Sequence, residues 1–516
     1  MDAATIQLLK KQTTSQSVRK ECIPIVEALE TAHRIDNEAE CAQQMRDIVC
    51  REHLKFSTLI DRPEILLGAS KGCQEGINTA LWTRFTVTYN LYAGSIVAMG
   101  NDNQREELLK SQTGGSLGCF AFTEVGAGVL SGAGVETTAK YDSKSKTFVV
   151  HSPTKSSCKN WISQGCFAEF AVILAELFVN DVSHGPHLFW ARIANMVNGK
   201  VQPLDAVTVG SNLKKTTMLG LDNAKISFNQ FRIPAKSLLD RYGAINTSTD
   251  TYESKLPKGI DRTIDLLLSR LLTGRIVLSE TSLSFTMHRI RHSWEYCQQR
   301  ELWRGRHPKG RMMSEMTLQK ICFRDYSRTT RIIQNFVEHT RERVGDTIRN
   351  NSGFTDDLIE ATCMCKFLCT GFSVDCLSVI RKTMGARSLQ TDALLGEESF
   401  MPNATSAAEG DNTVMELKVV QDIVRGRTPK IPFGLIWRTS GTAQGRKAAA
   451  IYLSKFARAM LLGKKAIKDG QLLRDIAWAR SHLRIIDTWL KTNQEPKEWL
   501  ESYDRIAMRF PVPMQM

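Results

Sequence analysis

The sequence predicts an α+β chain in three parts: a helical N-terminal domain over 1–117, a central β domain over 118–243 and a C-terminal helical bundle over 259–516. Three observations carry this. Apolar residues recur at helical 3–4 spacing on both flanks, and short β-rich runs separated by turn residues fill the middle. No strand–helix–strand alternation joins them, which disfavours a doubly wound nucleotide-binding fold. Neither a GxGxxG after a strand nor a Walker loop is present.

In the N-terminal part, "SVRKECIPIVEALETA" and "EAECAQQMRDIVCREHL" place apolar residues on one helical face, and "NDNQREELLK" reads as a capped helix start. Character changes near Gly118. From there to about 235, "GCFAFTEVG", "VETTAKY", "TFVVHSPT", "AVILAELFV", "HLFWARI" and "NAKISFNQFRIP" alternate with turn residues. The stretch "YDSKSKTF" reads as a hairpin, and Pro234 closes the β region. A polar linker is expected at about 244–258. Beyond it, periodic runs at 262–300, 314–345, 355–385 and 444–490 predict long helices, and a loop over 386–412 interrupts the array.

The chain of 516 residues is 42% hydrophobic and 24% charged, which places it among globular chains with an ample core. The stretch "CFAEFAVILAELFV" at 166–179 contains two glutamates and is too short to span a bilayer. It reads as buried strands, and no membrane insertion is expected. The net charge is +14, and from residue 430 onward 16 Lys and Arg stand against 7 Asp and Glu. Two readings remain for that excess: a solvated basic helix face, or a surface for an anionic cofactor such as a nucleotide or coenzyme A. No zinc-finger spacing, RNA-recognition motif or basic-zipper pattern accompanies it, so nucleic acid is not expected as a partner. Thirteen cysteines follow no regular spacing and no hydrophobic signal core opens the chain, as suits free thiols in a reducing compartment. Cys363, Cys365 and Cys369 share a helix-like run with no histidine nearby, so packing is expected there rather than a metal site.

Three segments carry candidate chemistry. In "FTEVGAG", 122–128, Thr123 offers a hydroxyl beside glycines that let backbone approach a ligand; a plain turn after a strand explains the same residues. In "CKNWISQG", 158–165, Trp161 can stack on a planar ring and Ser163 can bond its edge; a half-buried tryptophan between domains is the alternative. In "AAEGDNTVME", 407–416, Asp411 or Asn412 explains a helix cap but leaves Glu409 unexplained. A carboxylate in an apolar pocket is pushed towards general-base range, and Ala407, Ala408 and Gly410 leave room for a substrate carbon.

Taken in order, "CFAFTEVGAG", "VETTAKYD", "GLDNAKISFNQFRIP" and "AAEGDNTVMEL" resemble the acyl-CoA oxidases of the FAD-dependent acyl-CoA dehydrogenase superfamily, over about 70–425. "KNWISQG" looks more like the dehydrogenase branch. The resemblance implies a barrel-like central domain, FAD as cofactor, and oxidation of acyl-CoA to trans-2-enoyl-CoA with electrons passed to O₂. It implies that Thr123, Trp161 and Ser163 contact the flavin and that Glu409 is the catalytic base. Arg300 in "EYCQQRELW" matches an arginine reaching the FAD of the neighbouring subunit, which implies a homodimer. Where the family carries a glycine pair, this chain has Gly385 alone, followed by Arg387. The alternatives are an acyl-CoA dehydrogenase with a flavoprotein acceptor, or a non-catalytic acyl-CoA-binding paralogue. The resemblance implies a peroxisomal location, although the chain ends "PVPMQM" rather than in a Ser-Lys-Leu-like tripeptide. A mitochondrial location is the alternative.

Overall fold

The computed structural model describes all residues except 11–18, 31–34, 52–53, 57–58, 60–61, 73–77, 129–133, 213, 259–262, 303–309, 351, 493–497 and 510–516. The C-terminal "PVPMQM" therefore lies outside the described residues. The chain forms two compact units.

The first unit comprises 21–69 and 76–274. After α1 (Ala3–Leu9), which belongs to the other unit, its helices are α2 (Ile23–Leu29), α3 (Glu38–Val49), α4 (Pro63–Gly68), α5 (Thr79–Thr86), α6 (Gly94–Met99) and α7 (Asp102–Thr113). A π-helical turn, Val87–Ala93, joins α5 to α6. Helix α7 opens on a capping box between Asn101 and Gln104, as its sequence predicts. The strands begin at Gly118. Strands β1 (Gly118–Ala121), β5 (Phe170–Val179), β2 (Thr138–Asp142), β3 (Thr147–His151) and β11 (Phe231–Pro234) form one sheet in that order, with β6 (Val182–Arg192) also paired to β5. Strand β5 pairs in parallel with β1 and β2 and antiparallel with β6, so it is enclosed and reads as a continuous apolar run rather than an alternation. The β2–β3 hairpin is the one expected from "YDSKSKTF". Its turn is held by Asp142, which accepts from the Lys144 amide and the Ser145 hydroxyl.

A small sheet, β4 (Lys159–Ser163), β10 (Asn223–Phe228) and β9 (Val207–Ser211), faces the same core. Ile162, Ala224, Ile226 and Phe228 pack there with Phe148, Ile173 and Phe189 of the larger sheet. Strands β7 (Ala194–Val197) and β8 (Lys200–Pro203) form a separate ribbon.

The expected linker at 244–258 is instead a hairpin of β12 (Gly243–Asn246) and β13 (Thr251–Ser254). Polar residues dominate it, and the two apolar residues that pack against the core, Ile245 and Tyr252, are too few to read as an alternating strand. It is anchored by Tyr252, whose hydroxyl lies 2.8 Å from His187 Nε2, while His187 Nδ1 lies 3.0 Å from the Gly185 carbonyl. Burial pushes the His187 imidazole down to about 4, so it is neutral in the folded chain. An unfolded chain takes up that proton near 6.5. The stability this group contributes is therefore full above about 6.5 and is lost as pH falls towards 4, by up to about 3 kcal/mol. Urea midpoints measured at neutral and acid pH are expected to fall less steeply in His187→Phe; an unaltered slope would place the acid sensitivity elsewhere.

The second unit comprises 1–20, 70–75 and 275–516. Its long helices are α8 (Thr263–Gln299, from Arg275 onward in this unit), α9 (Thr317–Arg349) and α10 (Asp356–Met384). The short strands β14 (Glu301–Leu302) and β15 (Arg311–Met312) pair after α8. The expected loop over 386–412 is a string of 3-10 turns ending in α11 (Met401–Ala407), which Pro402 helps to start. Helices α12 (Asn412–Val424), α13 (Phe433–Thr439), α14 (Ala443–Leu462), α15 (Gly470–Thr492) and α16 (Trp499–Ile506) follow. The single run expected at 444–490 is thus two helices, because Gly463 ends the first at φ 52°.

Cys363, Cys365 and Cys369 are fully buried along α10 and serve packing. By length and composition the helical stretch Asp356–Leu389, which contains α10, is apolar enough to cross a membrane. Most of that window is buried inside the protein, as befits the core helix of a bundle. Part of the C-terminal basic excess is internal too. Arg480 is buried in an ion pair with Glu360 at 2.6 Å.

Candidate active site

In the first unit the structure brings Thr123, Trp161 and Ser163 to one corner of the β layer. Residues 123–126 run alongside 156–160: the Thr123 carbonyl accepts from the Asn160 amide at 2.9 Å, and the Val125 amide donates to the Cys158 carbonyl at 2.8 Å. Beneath them lies an ion pair that nothing in the sequence singled out. Lys159 Nζ is 2.8 Å from Glu124 Oε1, and both side chains are buried. Lys159 also donates to the carbonyls of Leu174 at 2.6 Å and Phe122 at 3.3 Å. Glu124 in turn accepts from the Glu136 and Thr137 amides. Burial lowers the Lys159 ammonium to about 8 even though Glu124 pulls it back up. A single pair thus staples the strand ends that carry Thr123 and Trp161.

The "GLDN" turn completes this corner. Asn223 pairs with Ser163 across β10 and β4, and its amide donates to the Ser163 hydroxyl at 3.0 Å. Asp222 accepts from the Cys166 amide at 2.7 Å and pairs with Arg84 at 2.8 Å, with both partners wholly buried. Gln164, which follows Ser163, donates to Thr88 and to the Gly118 carbonyl. This over-determined frame holds Trp161 at φ 58°, a left-handed conformation that a bulky aromatic residue adopts only under constraint. The Trp161 side chain is nonetheless 59% exposed. A large ring kept out of the core by a rigid frame is suited to contact with a ligand rather than to packing.

In the second unit Glu409 lies between α11 and α12, also left-handed at φ 52°, and is followed by Gly410 at φ 97°. At this φ the turn needs glycine for conformation, since the nearest neighbour of an added Cβ would be only the flexible end of Met415. Asp411 is the N-cap of α12, accepting from the Thr413 amide at 2.8 Å. Capping thus falls to Asp411, and Glu409 has no part in it. The turn is held from below by buried cations. Lys366 on α10 donates to the Gly410 carbonyl at 2.7 Å and to the Ser406 carbonyl, and Arg275 on α8 donates to the Glu409 carbonyl at 3.5 Å. Thr370, one turn beyond Lys366, exchanges hydrogen bonds with the Asn412 amide group.

The structure does not bring Arg300 to this turn. Arg300 is exposed at the C-terminal end of α8, 25 residues beyond Arg275, or roughly 37 Å along the helix. Arg387, which follows the lone Gly385, is held by Asp392 at 2.6 Å and lies over the Tyr296 ring at 5.1 Å. Sequence reasoning passed over Arg84, Lys159, Arg275 and Lys366. The available signal was a lysine or arginine inside an otherwise apolar run, as in "CMCKFLC".

No protein-family model matches the chain. The peroxisomal acyl-coenzyme A oxidase 2 of Arabidopsis thaliana is 24% identical over 445 residues, which is 81% of this chain and 61% of that protein. The peroxisomal acyl-coenzyme A oxidase 3 of Homo sapiens is 31% identical over 206 residues, 40% of this chain and 29% of that protein. The structure of acyl-CoA oxidase-2 from Caenorhabditis elegans, bound with FAD, ascaroside-CoA and ATP, matches with a TM-score of 0.71. It does so at 19% identity over 93% of this chain and 77% of that one. The chain has the acyl-CoA oxidase fold. It spans less than two thirds of the length of the curated relatives it matches. Within this acyl-CoA oxidase fold, Thr123, Trp161 and Ser163 belong to one unit and Glu409 and Arg300 to the other. The residues at the β corner fit a flavin: an exposed aromatic face, two hydroxyls and a backbone made rigid by buried ion pairs.

Proposed function

We propose that the chain oxidises acyl-CoA thioesters to trans-2-enoyl-CoA, with FAD as cofactor and O₂ as the final acceptor, yielding hydrogen peroxide. The observation that carries this reading is the Glu409 turn, a left-handed carboxylate clamped by buried cations and relieved of any capping duty. A thioester acidifies the carbon next to it, and a positioned carboxylate can take that proton. Glu409 does so, while Ala407, Ala408 and Gly410 keep bulk away from the approach. FAD, when bound, supplies the acceptor for the β-hydride and passes the electrons on to O₂. Trp161 would hold the ring by stacking, and Thr123 and Ser163 would bond its edge. Likeness to proteins named acyl-CoA oxidases supports the same chemistry.

A purified protein that shows flavin absorbance and forms one peroxide per acyl-CoA consumed in air meets this reading. A colourless protein that binds acyl-CoA without turnover overturns it. The Trp-Ile-Ser stretch at 161–163 favours a dehydrogenase as the second reading, for which flavin is reduced by acyl-CoA without peroxide. Trp161→Ala is expected to weaken flavin retention by about tenfold, the worth of one aromatic contact. Dialysis against FAD-free buffer measures this, and undiminished flavin content would remove Trp161 from the site.

A homodimer is part of the proposal, with Arg300 serving the FAD of the neighbouring subunit. Phe433 and Trp437, one turn apart on α13, are 72% and 78% exposed, and apolar surface of this kind is what subunit contacts bury. The relatives' names place them in peroxisomes, and we place this chain there with them.

A further inference from the structure

The geometry points to Lys366 as the positioning residue for the base: its buried ammonium group ties the two sides of the Glu409 turn together and sets where the carboxylate points. This rests on the reading of Glu409 as the α-proton acceptor. Lys366 is wholly buried in the middle of α10, where an ammonium group is costly and lysine is rare. Helix packing alone would favour an apolar residue there, as at the neighbouring Cys365 and Phe367.

The ammonium spends its donors on the turn. It reaches the Ser406 carbonyl at the end of α11 and the Gly410 carbonyl just before α12, bracketing Glu409 from both sides. Arg275 adds a third anchor at the carbonyl of Glu409 itself, and Thr370 a fourth at Asn412. These contacts hold two consecutive positive-φ residues, Glu409 and Gly410, in a conformation the chain would otherwise leave. Burial drives the Lys366 ammonium down to about 7, with Asp411 and Glu409 holding it up and Arg275 pushing it further down. The cation is therefore kept in place by the same acidic turn that it organises.

The test is exchange of α-hydrogens for deuterium in a bound 3-thia-acyl-CoA, followed by NMR on the flavin-loaded protein. Such a thioester has no β-hydride to lose, so the readout reports the base alone. Lys366→Met is expected to slow exchange by about tenfold to a hundredfold, as a misplaced group does, with ligand affinity and flavin content within about twofold of wild type. Glu409→Gln is expected to abolish exchange. Wild-type exchange in Lys366→Met, with Glu409→Gln inactive, overturns the positioning role. Wild-type exchange in Glu409→Gln instead overturns the underlying assignment of the base. Should Lys366→Met fail to fold, Thr370→Val decides the matter. It removes the anchor at Asn412 and a bond to the Lys366 carbonyl one turn back, so slowed exchange supports the clamp and an unchanged rate overturns it.

Discussion

Glu409→Gln is expected to lower turnover with acyl-CoA by at least about 10²–10⁴-fold, the usual worth of a general base, while FAD stays bound. The substitution is nearly isosteric. It leaves the backbone anchors of the turn in place, because Lys366 donates to the Ser406 and Gly410 carbonyls and Arg275 to that of Glu409. What it removes is a proton acceptor, since an amide takes up no proton at neutral pH. Peroxide release in air measures the loss. Activity within about tenfold of wild type would show that another group takes the α-proton. A fall in turnover accompanied by lost flavin would show instead that Glu409 acts on cofactor binding.

Lys159→Met carries the second large effect, on stability. The Lys159–Glu124 pair is buried at 2.8 Å, and removing one partner leaves an uncompensated charge inside the β layer. Such a change costs about 3–5 kcal/mol. The Leu174 and Phe122 carbonyls lose their shared donor at the same time, which loosens β5 against the strand ends carrying Thr123 and Trp161. Urea unfolding followed by tryptophan fluorescence is expected to show the midpoint falling accordingly. The double variant Glu124→Gln/Lys159→Met is expected to recover part of the loss, because it removes the stranded carboxylate along with its partner. A single variant as stable as wild type would mean that the pair contributes nothing to the corner. A double variant no better than the single would assign the cost to the lost carbonyl contacts.

Much of this was legible along the chain. The change from helix to strand at Gly118, the hairpin at "YDSKSKTF" and the long helices α8, α9 and α10 all follow from local periodicity and turn chemistry, which the sequence carries residue by residue. The polar β12–β13 hairpin and the break at Gly463 were not legible. The first sets just Ile245 and Tyr252 against the core among polar neighbours, and the second depends on one left-handed residue within an otherwise helical run.

The candidate site divides in the same way. The residues expected to meet substrate and flavin, Glu409, Thr123, Trp161 and Ser163, stand out because small or turn-forming neighbours surround them and because their order matches a known pattern. By itself the sequence determined most of the element types, the order of the motifs and the identity of a carboxylate that no cap requires. Only the tertiary structure decided that Asp411 does the capping, that Trp161 and Glu409 are both held left-handed, and that Lys159 and Lys366 do the holding. The physical reason is that a buried cation acts through carbonyls distant in sequence, as Lys366 does across 40 residues to Ser406, and spacing along a chain does not encode such a contact.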